Sequence, residues 1–175
     1  GVLGGQQSTT QSVTLNRPEV EKVGGLTVVA TDANHISNNT NAVVVVDQTA
    51  VAPSQLGAGM ELPYDKLSIK VSQELYSGYV PTNISLYVAK DTGVNGFWTA
   101  INGSLVNLAT ADFGGNITDL GNGQLRIDLK VDDAFDTAHG TNYVDNGVVT
   151  LNGAAAKIDL GALGANPLHA NDLFW

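Results

Sequence analysis

A chain of 175 residues with formal charge −9 and no cysteine can bury one self-sufficient core, without disulfides, thiolate metal sites or a cysteine nucleophile. Eight Lys and Arg scattered along its length form no basic stripe, which excludes nucleic acid and disfavours an anionic membrane surface. Charged residues make up 14%, against about a quarter in an average protein, and Asn, Thr, Ser, Gln and Gly replace them, the balance expected of a secreted, cell-surface protein.

Residues 1–10 run Gly1-Val2-Leu3-Gly4-Gly5 and then turn polar, which reads as a flexible or strand-donating N-terminal arm. The absence of Met at position 1 is expected where a leader has been removed or the chain trimmed. Residues 11–160 are expected to form one β-sandwich domain and residues 161–175 a C-terminal tail. Residues 11–16 alternate, with Val13 and Leu15 on one face, and Arg17-Pro18 ends the strand. Strands are expected again at 26–31 and 42–47. The unbroken run Val43–Val46 predicts a strand buried on both faces or at a sandwich centre.

A loop through Pro53, Gly57, Gly59 and Pro63 leads to residues 67–72, where Leu67, Ile69 and Val71 alternate with Ser68, Lys70 and Ser72. Residues 84–90 repeat the pattern through Ile84, Leu86 and Val88. From there Asn-Gly steps punctuate the chain, at Asn95-Gly96, Asn102-Gly103, Asn122-Gly123, Asn146-Gly147 and Asn152-Gly153. Asn-Gly readily takes the positive φ pair of a type I′ turn, so between β-type runs it predicts a hairpin. Residues 97–101 and 104–108 make one such hairpin, and 117–120 and 125–131 another. In the last run Leu125, Ile127, Leu129 and Val131 point inward, with Arg126, Asp128 and Lys130 outward. Residues 132–139 supply one helical turn, and strands at 143–145, 148–151 and 155–160 complete a meander. Roughly ten short strands with frequent turns predict an all-β fold, an antiparallel β-sandwich or jelly-roll-like domain. No apolar run approaches the roughly 20 residues of a membrane helix.

The best metal candidate is the acidic group Asp132, Asp133, Asp136 and Asp145, since Ca²⁺ collects several carboxylate oxygens from one loop. It matches no EF-hand spacing, and Ca²⁺ is the sole cofactor candidate. Paired carboxylates also serve glycosidases, but two Trp and five Tyr make a poor aromatic cleft. His35, His139 and His169 have no zinc-ligand spacing, and no serine lies in a nucleophile elbow. The Gly-rich pieces at 57–59 and 161–164 lack both P-loop and dinucleotide spacing. Sequons begin at Asn38, Asn83, Asn102 and Asn116, candidates for glycosylation. Tyr76, Tyr79, Phe97 and Trp98 are candidates for a sugar-stacking platform, with core filling the competing role.

Val2 and Leu3 on the N-terminal arm and Leu173, Phe174 and Trp175 at the other end are apolar groups at termini. The arm suits addition to a sheet edge of a neighbour, and the C-terminal group suits docking, on a neighbour or on its own core. With no catalytic spacing, an enzyme is not expected. The leading expectation is a structural subunit of an extracellular filament, pilus-like fibre or surface coat, its partners being copies of itself. A secreted carbohydrate- or ligand-binding module with structural Ca²⁺ is the alternative, followed by a virion coat or decoration protein.

Overall fold

The computed structural model describes residues 19–31, 38, 42–73 and 83–163. Within them twelve strands, all paired antiparallel, form an all-β sandwich of a five-stranded and a seven-stranded sheet. The first sheet runs β1 (Val20–Val23), β2 (Leu26–Thr31), β6 (Asn83–Ala89), β10 (Gln124–Lys130), β9 (Asn116–Asp119). The second runs β3 (Ala42–Thr49), β5 (Lys66–Gln73), β12 (Val148–Ile158), β7 (Gly96–Ile101), β8 (Ser104–Asn107). Two short strands, β4 (Met60–Glu61) and β11 (Val144–Asp145), also pair with β12. Helix α1 (Asp133–His139) joins β10 to β11, and the short α2 (Leu160–Leu163) follows β12.

The alternation seen in the sequence is what builds the core. Leu67, Ile69 and Val71 of β5 meet Ile84, Leu86 and Val88 of β6, Ile127 and Leu129 of β10 and Leu151 of β12, each at most 1% exposed. Each such side chain contributes about 1.5–3 kcal/mol by leaving water. A second, smaller apolar cluster gathers Trp98, Met60, Ala154, Ala156 and Ile158.

Two Asn-Gly steps close hairpins as the turn chemistry requires: Asn102 and Gly103 have φ of 52° and 81°, Asn146 and Gly147 of 52° and 77°. Asn122-Gly123 lies in a longer turn between β9 and β10. The sequence reading needs correction elsewhere. Asn152-Gly153 is no turn; it lies inside β12, which runs unbroken where two strands were expected. A Cβ on Gly153 would stand 2.5 Å from the Phe97 ring and 2.5 Å from the Trp98 carbonyl oxygen. Close approach of a neighbouring strand, not turn geometry, is what this glycine serves. The valine run of β3 is not buried on both faces: Val44 and Val46 point inward, while Val45 is 47% exposed. β3 is an edge strand of its sheet, so it has one buried face only. Strand β1 was not anticipated, although Gly24-Gly25 at φ 56° and 84° forms its turn into β2. The strand expected at 11–16 lies outside the described residues.

Candidate functional site

The acidic segment after β10 is a local folding device. Asp132 caps α1, its carboxylate accepting from the Phe135 N–H at 2.8 Å, and Gly140 at φ 67° ends the helix. The Asp136 carboxylate accepts from the Thr141 hydroxyl and from the Tyr143 and Val144 N–H groups, both at 2.9 Å. One side chain thereby shapes the whole α1–β11 loop. Asp133 and Asp145 are exposed. Among the described residues no three His, Asp or Glu side chains converge as a metal-holding group. One oxygen of Asp132 and both oxygens of Asp136 already accept hydrogen bonds within this segment. His139 packs its ring between Phe113 at 4.8 Å and Phe135 at 4.4 Å, and Tyr143 stacks on Phe135 at 5.5 Å.

The remaining candidates scatter. Phe97 is fully buried and Trp98 is 6% exposed, so both serve the interior and neither offers a sugar-stacking face. The Trp98 indole N–H donates to Asn95 Oδ1 at 3.1 Å, and the Asn95 amide donates to the Ile158 carbonyl at 2.9 Å. Of the sequon asparagines, Asn102 and Asn116 are exposed and Asn38 half-buried. Asn83 is buried in β6 at 7%, closed to a glycosylating enzyme once folded. Val2, Leu3, His35, Tyr76, Tyr79, His169, Leu173, Phe174 and Trp175 lie outside the described residues.

Three features escaped the sequence reading. Asp128, assigned outward by alternation, does face away from the sandwich interior, yet it is only 5% exposed. It accepts from the Ser85 hydroxyl at 2.7 Å on β6 and from Arg126 Nε and Nη2 at 3.0 and 3.1 Å. Hydrogen bonding to Asp128 raises the Arg126 pKa. Ser85 is 1% exposed and the Arg126 side chain 28%, so Asp128 and Ser85 are buried while the guanidinium stays half-buried. A like pairing at the surface, Lys90 Nζ on Asp119 at 2.6 Å, holds the Asp119 carboxyl below its usual range.

The second feature is a surface cleft of about 370 Å³ where β7 and β12 meet the α1–β11 loop. Thr99, Asn102, Thr141, Asn142, Thr150 and Asn152 give it a lining of hydroxyls and amides. Tyr143 is among the lining residues, and its hydroxyl is buried without a hydrogen bond. Its polar neighbour Thr99 gives its own proton to the Asn152 carbonyl at 2.6 Å and stands close enough only to moderate the phenol. Burial pushes the Tyr143 pKa up to about 12.

The third is the outer edge of β3. All eight residues from Ala42 to Thr49 pair in unbroken register with β5, and no other described strand takes the opposite side. The other edge strands, β1, β8 and β9, are four residues each. No protein-family model matches the chain, nor does any curated protein or solved structure.

Proposed function

We propose that this chain is a structural subunit of an extracellular filament, pilus-like fibre or surface coat, assembled by strand addition between copies. The carrying observation is β3. Natural sheets guard their edges with Lys, Pro, bulges or very short strands. β3 has none of these: it reads Ala-Val-Val-Val-Val-Asp-Gln-Thr, twice the length of the other edges, with a single charge at Asp47. Val43 and Val45 lie outward beside that edge, and Val45 is one of two large exposed apolar side chains among the described residues. An edge of this kind is a template for another strand, and backbone hydrogen bonds give such pairing its affinity.

The N-terminal arm with Val2 and Leu3 is the donor in this reading, carrying small and apolar residues with no charge in its first ten positions. The low share of charged residues supports the same reading. Electron microscopy and sedimentation of the purified chain test it. Fibres or sheets are expected from the full chain. Deleting residues 1–10, or placing a charge at the edge with Val45→Lys, should leave a folded monomer that no longer assembles. Undiminished polymers in both variants would sink the strand-addition reading.

A further inference from the structure

Both sheets end on the same side of the sandwich, where the edge strands β1 and β3 lie against each other. The β1–β2 turn stands over the far end of β3. A Cβ on Gly24 would meet the Gln48 side-chain amide at 2.6 Å, and that amide donates to the Tyr64 carbonyl at 3.1 Å. The other end of β1, at Val20, is therefore level with the first half of β3. The chain that precedes β1 enters the described domain right at the β3 edge.

That edge specifies what can cover it. Its free backbone groups run for eight residues, so the cover is an extended strand. On the inner face the strand continues the row of Val44 and Val46 and meets Val23 of β1, which is half-buried, so every second side chain should be apolar. On the outer face it runs beside Val45 and Asp47, both exposed, so the alternate side chains should be polar and not acidic.

The sequence holds such a segment beside the edge. In residues 11–16 Val13 and Leu15 alternate with Ser12, Thr14 and Asn16, and residues 1–18 contain no acidic side chain. Residues directly opposed in an antiparallel pair share a face. Leu15 opposite Val44 therefore puts Val13 opposite Val46, Thr14 opposite Val45 and Ser12 opposite Asp47. A slip of one residue would turn Val13 and Leu15 out to water, so the pattern selects its own face. The same register sets Arg17 opposite Ala42, three residues before Val20. Three extended residues span about 10 Å, enough to cross between packed sheets. Pro18, which cannot donate to a ladder, falls in that crossing.

We infer that residues 11–16 cap the β3 edge of their own chain, antiparallel and in this register, as one more strand of the second sheet. As a control on assembly the cap rests on the strand-addition reading above. A neighbour's arm must displace it, so the free chain stays a monomer until an arm arrives.

The test is NMR of the intact chain, diluted until it sediments as a monomer. Methyl contacts are expected between Val13 and Val46 and between Leu15 and Val44, and they decide the register whatever a variant does. The β3 amides that are not donated to β5 should exchange with solvent at least about a hundredfold more slowly than in a free peptide. Replacing Val13 and Leu15 together by Asp in the full chain should return those amides to within about tenfold of the free rate, while the amides donated to β5 stay protected. Fast exchange in the wild type overturns the inference, and so does protection that survives the double substitution. Protection that appears only as the concentration rises overturns it too, because the strand then comes from another copy, and the strand-addition reading stands. A capped monomer that never polymerises upholds the cap and sinks that reading instead.

Discussion

Replacing Asp136 by alanine separates a carboxylate that organises the backbone from one that merely contributes to an acidic patch. The side chain accepts three hydrogen bonds, from the Thr141 hydroxyl and the Tyr143 and Val144 N–H groups. A hydrogen bond to a charged group contributes about 1.5–3 kcal/mol, but three on one carboxylate are not additive and water re-solvates part of this half-buried site. A loss of about 3 kcal/mol is the expected result, or a fall in Tm of roughly 6–12 °C at about 2–4 °C per kcal/mol for a chain of this size. Asp136→Asn keeps one oxygen but turns an NH₂ towards a backbone donor, so about half the loss is expected. Asp133→Ala, at an exposed position with none of these bonds, should leave the midpoint almost unmoved. Chemical denaturation followed by circular dichroism reads all three. Equal small effects for Asp136→Ala and Asp133→Ala would refute the argument, and so would a large drop on adding EDTA to the wild type, since that assigns the carboxylates to a cation.

Tyr143 has an alkaline signature. Its folded pKa, about 12, stands above the ordinary value near 10, so the fold favours the protonated phenol; that contribution is complete below about pH 10 and is lost as pH climbs through 12. Urea midpoints between pH 9 and 12 should fall more steeply for the wild type than for Tyr143→Phe, and equal slopes would count against a buried phenol. At pH 7 the same substitution removes an unpaired buried hydroxyl and should cost nothing, or stabilise by up to about 1 kcal/mol. Gly153→Ala drives a Cβ into the Phe97 ring and the Trp98 carbonyl and should destabilise by about 3 kcal/mol; tolerance would mean that β7 and β12 can separate. Leu151→Ala empties a fully buried position in β12 and should cost about 3–4 kcal/mol in the same denaturation assay.

The strands that were legible in the sequence share a property: one face buried, one wet, and a turn of fixed chemistry at the end. β5 and β10 show a two-residue period, and Asn102-Gly103 specifies its own hairpin. Four consecutive valines hide their period because both faces carry the same residue, so only the pairing of β3 with β5 reveals that Val45 faces out. Asn152-Gly153 misleads because its glycine is needed for close strand packing, a tertiary demand that overrides the local turn signal. Asp128 follows the period faithfully, yet it is buried and paired, because its partner Ser85 comes from a distant strand and Arg126 lies two residues away on the same face. The cleft was illegible for the same reason. Its residues are drawn from β7, β12 and the loop between α1 and β11, and no spacing within one segment announces them.

β12 pairs along its length with β5, β11, β7 and β4, which makes the last long strand of the described chain the hub of its sheet. Val71 and Val149 are sheet neighbours although about half of the domain is synthesised between them. Until that strand emerges, β5 and β7 have no common partner in their sheet. The sandwich therefore cannot close before β12 has been synthesised. Its seven-stranded sheet closes late, through contacts far apart in sequence.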